Sequence, residues 1–134
     1  MSIKSVYKKI RFYVRDVFHN KKQRNSLRNS NFSLITSDCT GGCVAKDLRV
    51  RMNSPTRNFY FNADDYIKFC KNLDYYLTLQ PELYTGNYSG EGSEYLMASL
   101  GDLKMFLVHY LSVEQCRDEW IRRRERVNKD NLFL

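Results

Sequence analysis

Phe32-Ser33-Leu34-Ile35-Thr36 is a short apolar run, followed at once by Ser37-Asp38-Cys39-Thr40-Gly41-Gly42-Cys43. The run has strand length and β-branched content, the two glycines permit a sharp reversal, and Val44 to Val50 continues as a helix of about two turns. Strand, tight turn and helix in that order open an α/β unit, so the expectation is a three-layer α/β/α sandwich around a mixed, largely parallel sheet.

Working outward, Asn53-Ser54-Pro55 marks a turn and Asn58-Phe59-Tyr60-Phe61 a second strand. Asn62 or Asp64 is placed to cap a helix from about Asp65 to Leu79, whose Tyr66, Ile67, Phe69, Cys70, Leu73, Tyr76 and Leu77 form a broad apolar face. Pro81 to Ser93, rich in Gly, Tyr and Asn, reads as a surface loop. Tyr95–Leu100 and Lys104–Tyr110 read as two strands joined by a Gly101-Asp102 hairpin turn. Ser112 with Gln115 forms a capping box for a helix running to about Val127, and Arg122, Arg123, Arg124 and Arg126 are expected to oppose its C-terminal dipole. The chain then turns apolar at Asn131-Leu132-Phe133-Leu134, a strand with nothing after it, so the fold is expected to be incomplete at its C-terminus. A second copy of the chain is one way to satisfy that edge, which makes an oligomer conceivable.

Charge divides the chain in two. Residues 1–30 hold nine basic side chains against one acid, Asp16, whereas the remaining residues hold thirteen against fourteen. The domain expected over residues 31–134 is therefore close to neutral, and specific nucleic-acid binding, which spreads basic groups over the docking face, is not indicated. The basic segment is amphipathic. Ile3, Val6, Tyr7, Ile10, Val14, Val17 and Phe18 recur at three- and four-residue steps, with Lys4, Lys8, Arg11 and Arg15 on other faces. Such a helix either packs its stripe on the domain or lies on an anionic membrane surface, where each Lys or Arg contributes about 1 kcal/mol. Asn20 to Asn31 reads as an exposed hinge into the domain. No run reaches the roughly 20 apolar residues of a membrane span and no secretory leader is recognisable, so a cytoplasmic protein, peripheral to the inner membrane if its helix binds lipid, is expected.

Four features could carry chemistry. The turn Asp38, Cys39, Thr40, Gly41, Gly42, Cys43 precedes a helix, so its amides could hold a phosphate or another anion, although a P-loop lysine is missing. Cys39 and Cys43 are candidate nucleophiles or small packed thiols; two further ligands would be needed for zinc, and no spacing supplies them, so no metal is expected. His109 stands at a strand end, where a general base would sit, and Asp102 in the hairpin turn is a candidate acid or simply a turn residue. No particular cofactor is indicated.

Asn31 through Gly42, Asp65 through Leu77, Leu100-Gly101-Asp102, His109-Tyr110, Trp120 through Arg124 and Asn128 through Phe133 occur in an order that resembles the bacterial "domain of unknown function 1919" family. The resemblance covers about residues 31–134. Members of that family often stand among exopolysaccharide and capsular polysaccharide biosynthesis genes, and they continue past the Asn-Leu-Phe strand into a further α/β segment. The resemblance thus implies a role in cell-surface polysaccharide assembly, either as a transferase acting on a sugar, nucleotide-sugar or acyl donor, or as a non-catalytic accessory or fragmentary domain that binds partners at the inner membrane surface. It also implies an N-terminal part of a longer protein. Cys39, Gly41, Gly42, Asp102 and His109 match its motifs. Thr40 departs from them, standing where the family has a bulky aromatic.

Overall fold

Residues 3–26 are helical from end to end: α1 (Ile3–Val14), a π-helical segment (Arg15–Asn20) and α2 (Lys21–Ser26). This is a computed structural model, and it describes residues 2–86 and 95–134. The expected hinge from Asn20 is thus displaced. Asn20 is buried and the helix runs six residues beyond it, because Arg24 reaches back to Asp16 and forward to the Asp47 carbonyl, fixing that last turn on the domain.

After β1 (Ser33–Leu34) the chain enters α3 (Thr40–Leu48), so Gly41 and Gly42 belong to the first turn of the helix rather than to a preceding loop. Arg49 ends it in the left-handed region at φ 55°. The long helix expected over 65–79 is two helices, α4 (Ala63–Lys71) and α5 (Leu73–Thr78), separated at Asn72, whose φ of −128° and ψ of 39° leave the helical region. Asn62 caps α4, accepting a bond from the Asp65 amide at 2.8 Å.

The expected surface loop begins with a short strand, β2 (Glu82–Leu83); its residues 87–93 lie outside the described part. β3 (Leu96–Leu100) and β4 (Leu103–Leu107) form the expected hairpin, turning at Gly101, whose φ of +62° suits a residue without Cβ. The last elements are α6 (Val113–Arg124), capped by Ser112 through the Gln115 amide at 3.1 Å, and β5 (Leu132–Phe133).

The mixed α/β class holds, but the largely parallel sheet does not. β2, β3 and β4 form an antiparallel sheet in that order, while β1 and β5 form a separate parallel pair with Ser33 opposite Leu132. The Asn58–Phe61 run contributes a single bridge, Tyr60 to Phe106, on the free side of β4. Two small sheets of this kind do not establish three layers. The strand expected at the C-terminus is present and pairs with β1 on one edge, with Ser33 N–H donating to the Asn131 carbonyl and Ile35 N–H to that of Phe133, both at 2.9 Å.

The core lies between the β3–β4 hairpin, α4, α5 and α6. Trp120, Phe59, Phe69, Leu100, Leu103 and Met105 are all buried in it. Trp120 tilts against Phe59 and Phe69 with ring centroids 6.2 and 6.1 Å away, and its indole N–H donates to the Leu79 carbonyl at 3.0 Å. The arginine run of α6 does more than oppose its own helix dipole. Arg124 donates to the carbonyls of Leu77, Thr78 and Leu79, closing the C-terminal end of α5, while buried Arg123 donates to the Tyr110 hydroxyl and pairs with Glu119.

Candidate functional site

The strand-to-helix turn folds around Thr36 and Asp38. The Thr36 hydroxyl donates to the Asp38 carbonyl at 2.8 Å and accepts from the Gly41 amide at 3.2 Å; the Asp38 carboxylate accepts from the Thr40 amide at 2.8 Å. Two of the amides expected to hold a phosphate are therefore already satisfied, and the carboxylate at the helix start is itself the anion. Thr40, through its hydroxyl and its amide, holds Asp38 below the ordinary carboxylate range. This arrangement works against the phosphate cradle.

The two glycines differ. A Cβ on Gly41 would lie 2.8 Å from the Thr36 hydroxyl oxygen and 3.2 Å from Met52 Cε, whereas a Cβ on Gly42 would meet nothing within 4 Å. Gly41→Ala should therefore cost about 1–3 kcal/mol by pushing Thr36 off the turn, while Gly42→Ala should be neutral or stabilising by up to about 1 kcal/mol through helix propensity. Urea denaturation of the two variants separates them. A Gly41→Ala chain as stable as wild type would mean the Thr36 bond does not set the turn.

Outside this turn lies a shallow, mostly apolar hollow of ≈ 380 Å³ bounded by Asp38, Cys39, Thr40, Cys43, Tyr60 and Val108. Asp38 and Cys39 come from the turn before α3, Thr40 and Cys43 from the first turn of α3, and Val108 directly follows β4. Tyr60, which the sequence reading left in a strand without a role, closes one wall with its ring stacked on Phe106 at 4.4 Å and 5°. The thiol of Cys39 is pushed up by burial and then by the Asp38 charge, so it stays protonated at neutral pH and makes a poor nucleophile. Cys43 is exposed and Cys116 is fully buried, its thiol pushed up to about 12 by burial. Among the described residues no group of three or more His, Cys, Asp or Glu is placed to hold a metal.

His109 follows Val108 and its backbone amide donates to the Asn58 carbonyl at 3.1 Å; its side chain is exposed and is not among those that line the hollow. Asp102 is elsewhere. It precedes β4 whereas His109 follows it, and five residues of strand separate the two by on the order of 15 Å. Its carboxylate accepts from Lys68 at 3.0 Å and from the Tyr76 hydroxyl at 2.8 Å. Lys68 first and Tyr76 second hold Asp102 below the ordinary carboxylate range, and burial followed by the Asp102 contact drives Tyr76 up to about 12. Asp102 thus ties the hairpin turn to α4 and α5, at the opposite end of β4 from His109.

The second candidate is the N-terminal helix. Its C-terminal half is fastened to the domain: Asp16 receives Arg24 at 2.7 Å and Arg49 at 2.9 Å, and Arg15 reaches Asp47. Phe12 faces inward, with Lys46 Nζ 5.6 Å and Arg15 Cζ 5.8 Å from its ring centroid. α1 itself buries no residue; Ile3 is 87% exposed, Tyr7 66% and Ile10 57%. At 100° per residue these three lie roughly opposite Phe12, so the apolar stripe points away from the domain, with Lys4 and Arg11 along one side and Lys8 next to Phe12. Of the two readings open to this helix, packing of the stripe on the domain is not what the described residues do. No helix among them is long and apolar enough to cross a membrane.

Comparison with known proteins gives a family and no reaction. A protein of Haemophilus influenzae (strain ATCC 51907 / DSM 11121 / KW20 / Rd), carried only as "Uncharacterized protein", is 32% identical over 130 residues; the match takes in 97% of this chain and 58% of that relative. The family model described as "Domain of unknown function (DUF1919)" matches residues 9–134, reaching back through most of the N-terminal helix, and the chain belongs to that family.

Proposed function

We propose that this chain is a peripheral module that seats its domain on an anionic membrane surface through α1, at the inner face of the membrane. One observation carries the reading: an unburied apolar stripe turned away from the domain and bordered by Lys4 and Arg11. Apolar side chains enter the headgroup boundary while the flanking cations meet anionic lipid, and neither interaction alone is strong. The placement in cell-surface polysaccharide assembly rests on the family resemblance and not on the geometry.

Co-sedimentation with vesicles tests it. The chain should pellet with vesicles containing phosphatidylglycerol and not with pure phosphatidylcholine, and binding should fade as salt shortens the Debye length from roughly 10 Å at 0.1 M toward 3 Å at 1 M. Equal binding to both lipids would overturn the reading. So would a dimer in sedimentation velocity that buries the same stripe, since a second copy is the competing occupant.

A second reading, transfer from a sugar, nucleotide-sugar or acyl donor, is favoured by the hollow lined by Cys39, Thr40, Tyr60 and Val108, with His109 next in the chain. There Tyr60 would offer its edge to a sugar and His109 a base at the rim. A nucleotide-sugar that raises Tm in wild type but not in Tyr60→Ala would support it, and no shift across a panel of donors would count against it.

A further inference from the structure

Arg49, Arg51 and Arg126 come together in a hollow of ≈ 450 Å³ between the C-terminal end of α3 and the segment after α6, with Ser30, Asn31 and Asn53 on its walls. No acidic residue lines it. Arg49 has a partner in Asp16, but no carboxylate is bonded to Arg51 or Arg126 among the described residues. Arg126 Nε is buried and makes no hydrogen bond. A buried guanidinium N–H without an acceptor is costly, and like charges around it add to the cost. Burial first, then the charges of Arg51, Arg122 and Arg123, depress the basicity of Arg126. Arg122 and Arg123 share Glu119, so the uncompensated charge facing the hollow is that of Arg51 and Arg126.

Sites that gather positive charge without a counterion lose stability unless an anion arrives. Guanidinium forks match the oxygens of phosphate and carboxylate two at a time, and two such forks together offer more donors than one carboxylate can accept. A phosphate or pyrophosphate group, with three or more terminal oxygens, fits that donor set. We propose that this hollow binds a phosphate- or pyrophosphate-bearing molecule, held by Arg51 and Arg126 with Arg49 at its side. The backbone supports the arrangement: Arg49 ends α3 in the left-handed region, and the Asn31 carbonyl, tied by Asn128 and Asn131 at 2.8 and 3.2 Å, fixes the opposite wall.

Calorimetric titration of the full chain with inorganic pyrophosphate, without lipid and at low salt, tests the site apart from the membrane reading. Saturable binding is expected, weakened about tenfold or more by Arg51→Gln and by Arg126→Gln, and less by Arg126→Lys, which keeps the charge and loses the fork. Arg51 is exposed, so its substitution leaves the fold intact. Arg51→Glu should raise the Tm of the unliganded chain by about 2 °C while abolishing binding, an opposition that a merely structural arginine would not produce. Vesicles carrying phosphatidic acid, set against phosphatidylserine of equal charge, identify the source. A preference for phosphatidic acid that Arg51→Gln removes assigns the phosphate to a lipid headgroup, and pyrophosphate binding without that preference assigns it to a soluble ligand. Absence of Arg51-dependent binding in both arms, or binding unchanged in all variants, would overturn the site.

Discussion

Trp120→Ala is expected to cost about 3–5 kcal/mol, the range for removing a fully buried aromatic. Against a total stability of about 5–15 kcal/mol, that is enough to leave a marginal chain substantially unfolded. Trp120 is 1% exposed, and it is where α6 meets Phe59 and Phe69. Truncation opens a cavity there and takes the indole donor from the Leu79 carbonyl, which keeps only its bond from Arg124 at 2.9 Å. The neighbours are rigid rings that cannot collapse into the space, so the upper part of the range applies. Trp120→Phe keeps most of the contact and loses the hydrogen bond, for about 1–2 kcal/mol. Thermal melts followed by far-UV circular dichroism suit the comparison, because Trp120 is the only tryptophan and its removal takes away the tryptophan fluorescence signal. A drop of roughly 10–20 °C for the alanine variant is expected. A shift of only a degree or two would mean that α6 does not dock on the hairpin through this ring.

The same packing explains what could be read from sequence and what could not. Elements set by local chemistry were legible: the Ser112 cap, the Gly101-Asp102 turn and the Asn62 cap each depend on residues within a few positions of one another. The strand order was not. Ser33 meets Leu132 across almost the whole chain, and no local pattern announces a parallel pair of two residues. The break at Asn72 was hidden because the apolar face runs through it without a change of period.

The candidate site divides in the same way. Asp38, Cys39, Thr40 and Cys43 are neighbours in sequence and remain neighbours around the hollow, whereas Asp102 and His109 stand at opposite ends of β4. What sequence reasoning missed entirely were the groups of Arg49, Arg51 and Arg126. Their spacing carries no motif, and the arginines around the C-terminal end of α6 read as dipole partners until the fold turns Arg124 onto α5 and Arg126 toward Arg51.

Replacing Ile3, Tyr7 and Ile10 together by Ser should reduce partitioning onto anionic vesicles by about a hundredfold or more without lowering Tm. Fully burying a large apolar side chain contributes about 1.5–3 kcal/mol; entry into the interface realises part of that, so about 1 kcal/mol per position gives roughly 3 kcal/mol in all, and each 1.4 kcal/mol is a tenfold change. Stability should not fall, because these side chains are mostly exposed: Ile3 is 87% exposed and α1 holds no buried residue. Serine lowers helix propensity by a few tenths of a kcal/mol per site, so a control with Ala at the same positions keeps the helix while removing most of the apolar surface. Substituting Lys4, Lys8 and Arg11 by Gln should give a loss of similar size at low salt and little loss at high salt, where the cations are already screened. The combination is diagnostic. Apolar variants that lose binding at every salt concentration, beside basic variants that lose it only at low salt, require a helix lying in a charged interface. A purely electrostatic attachment would leave the serine variant bound, and a stripe that packs on another part of the domain would instead appear as a fall in Tm.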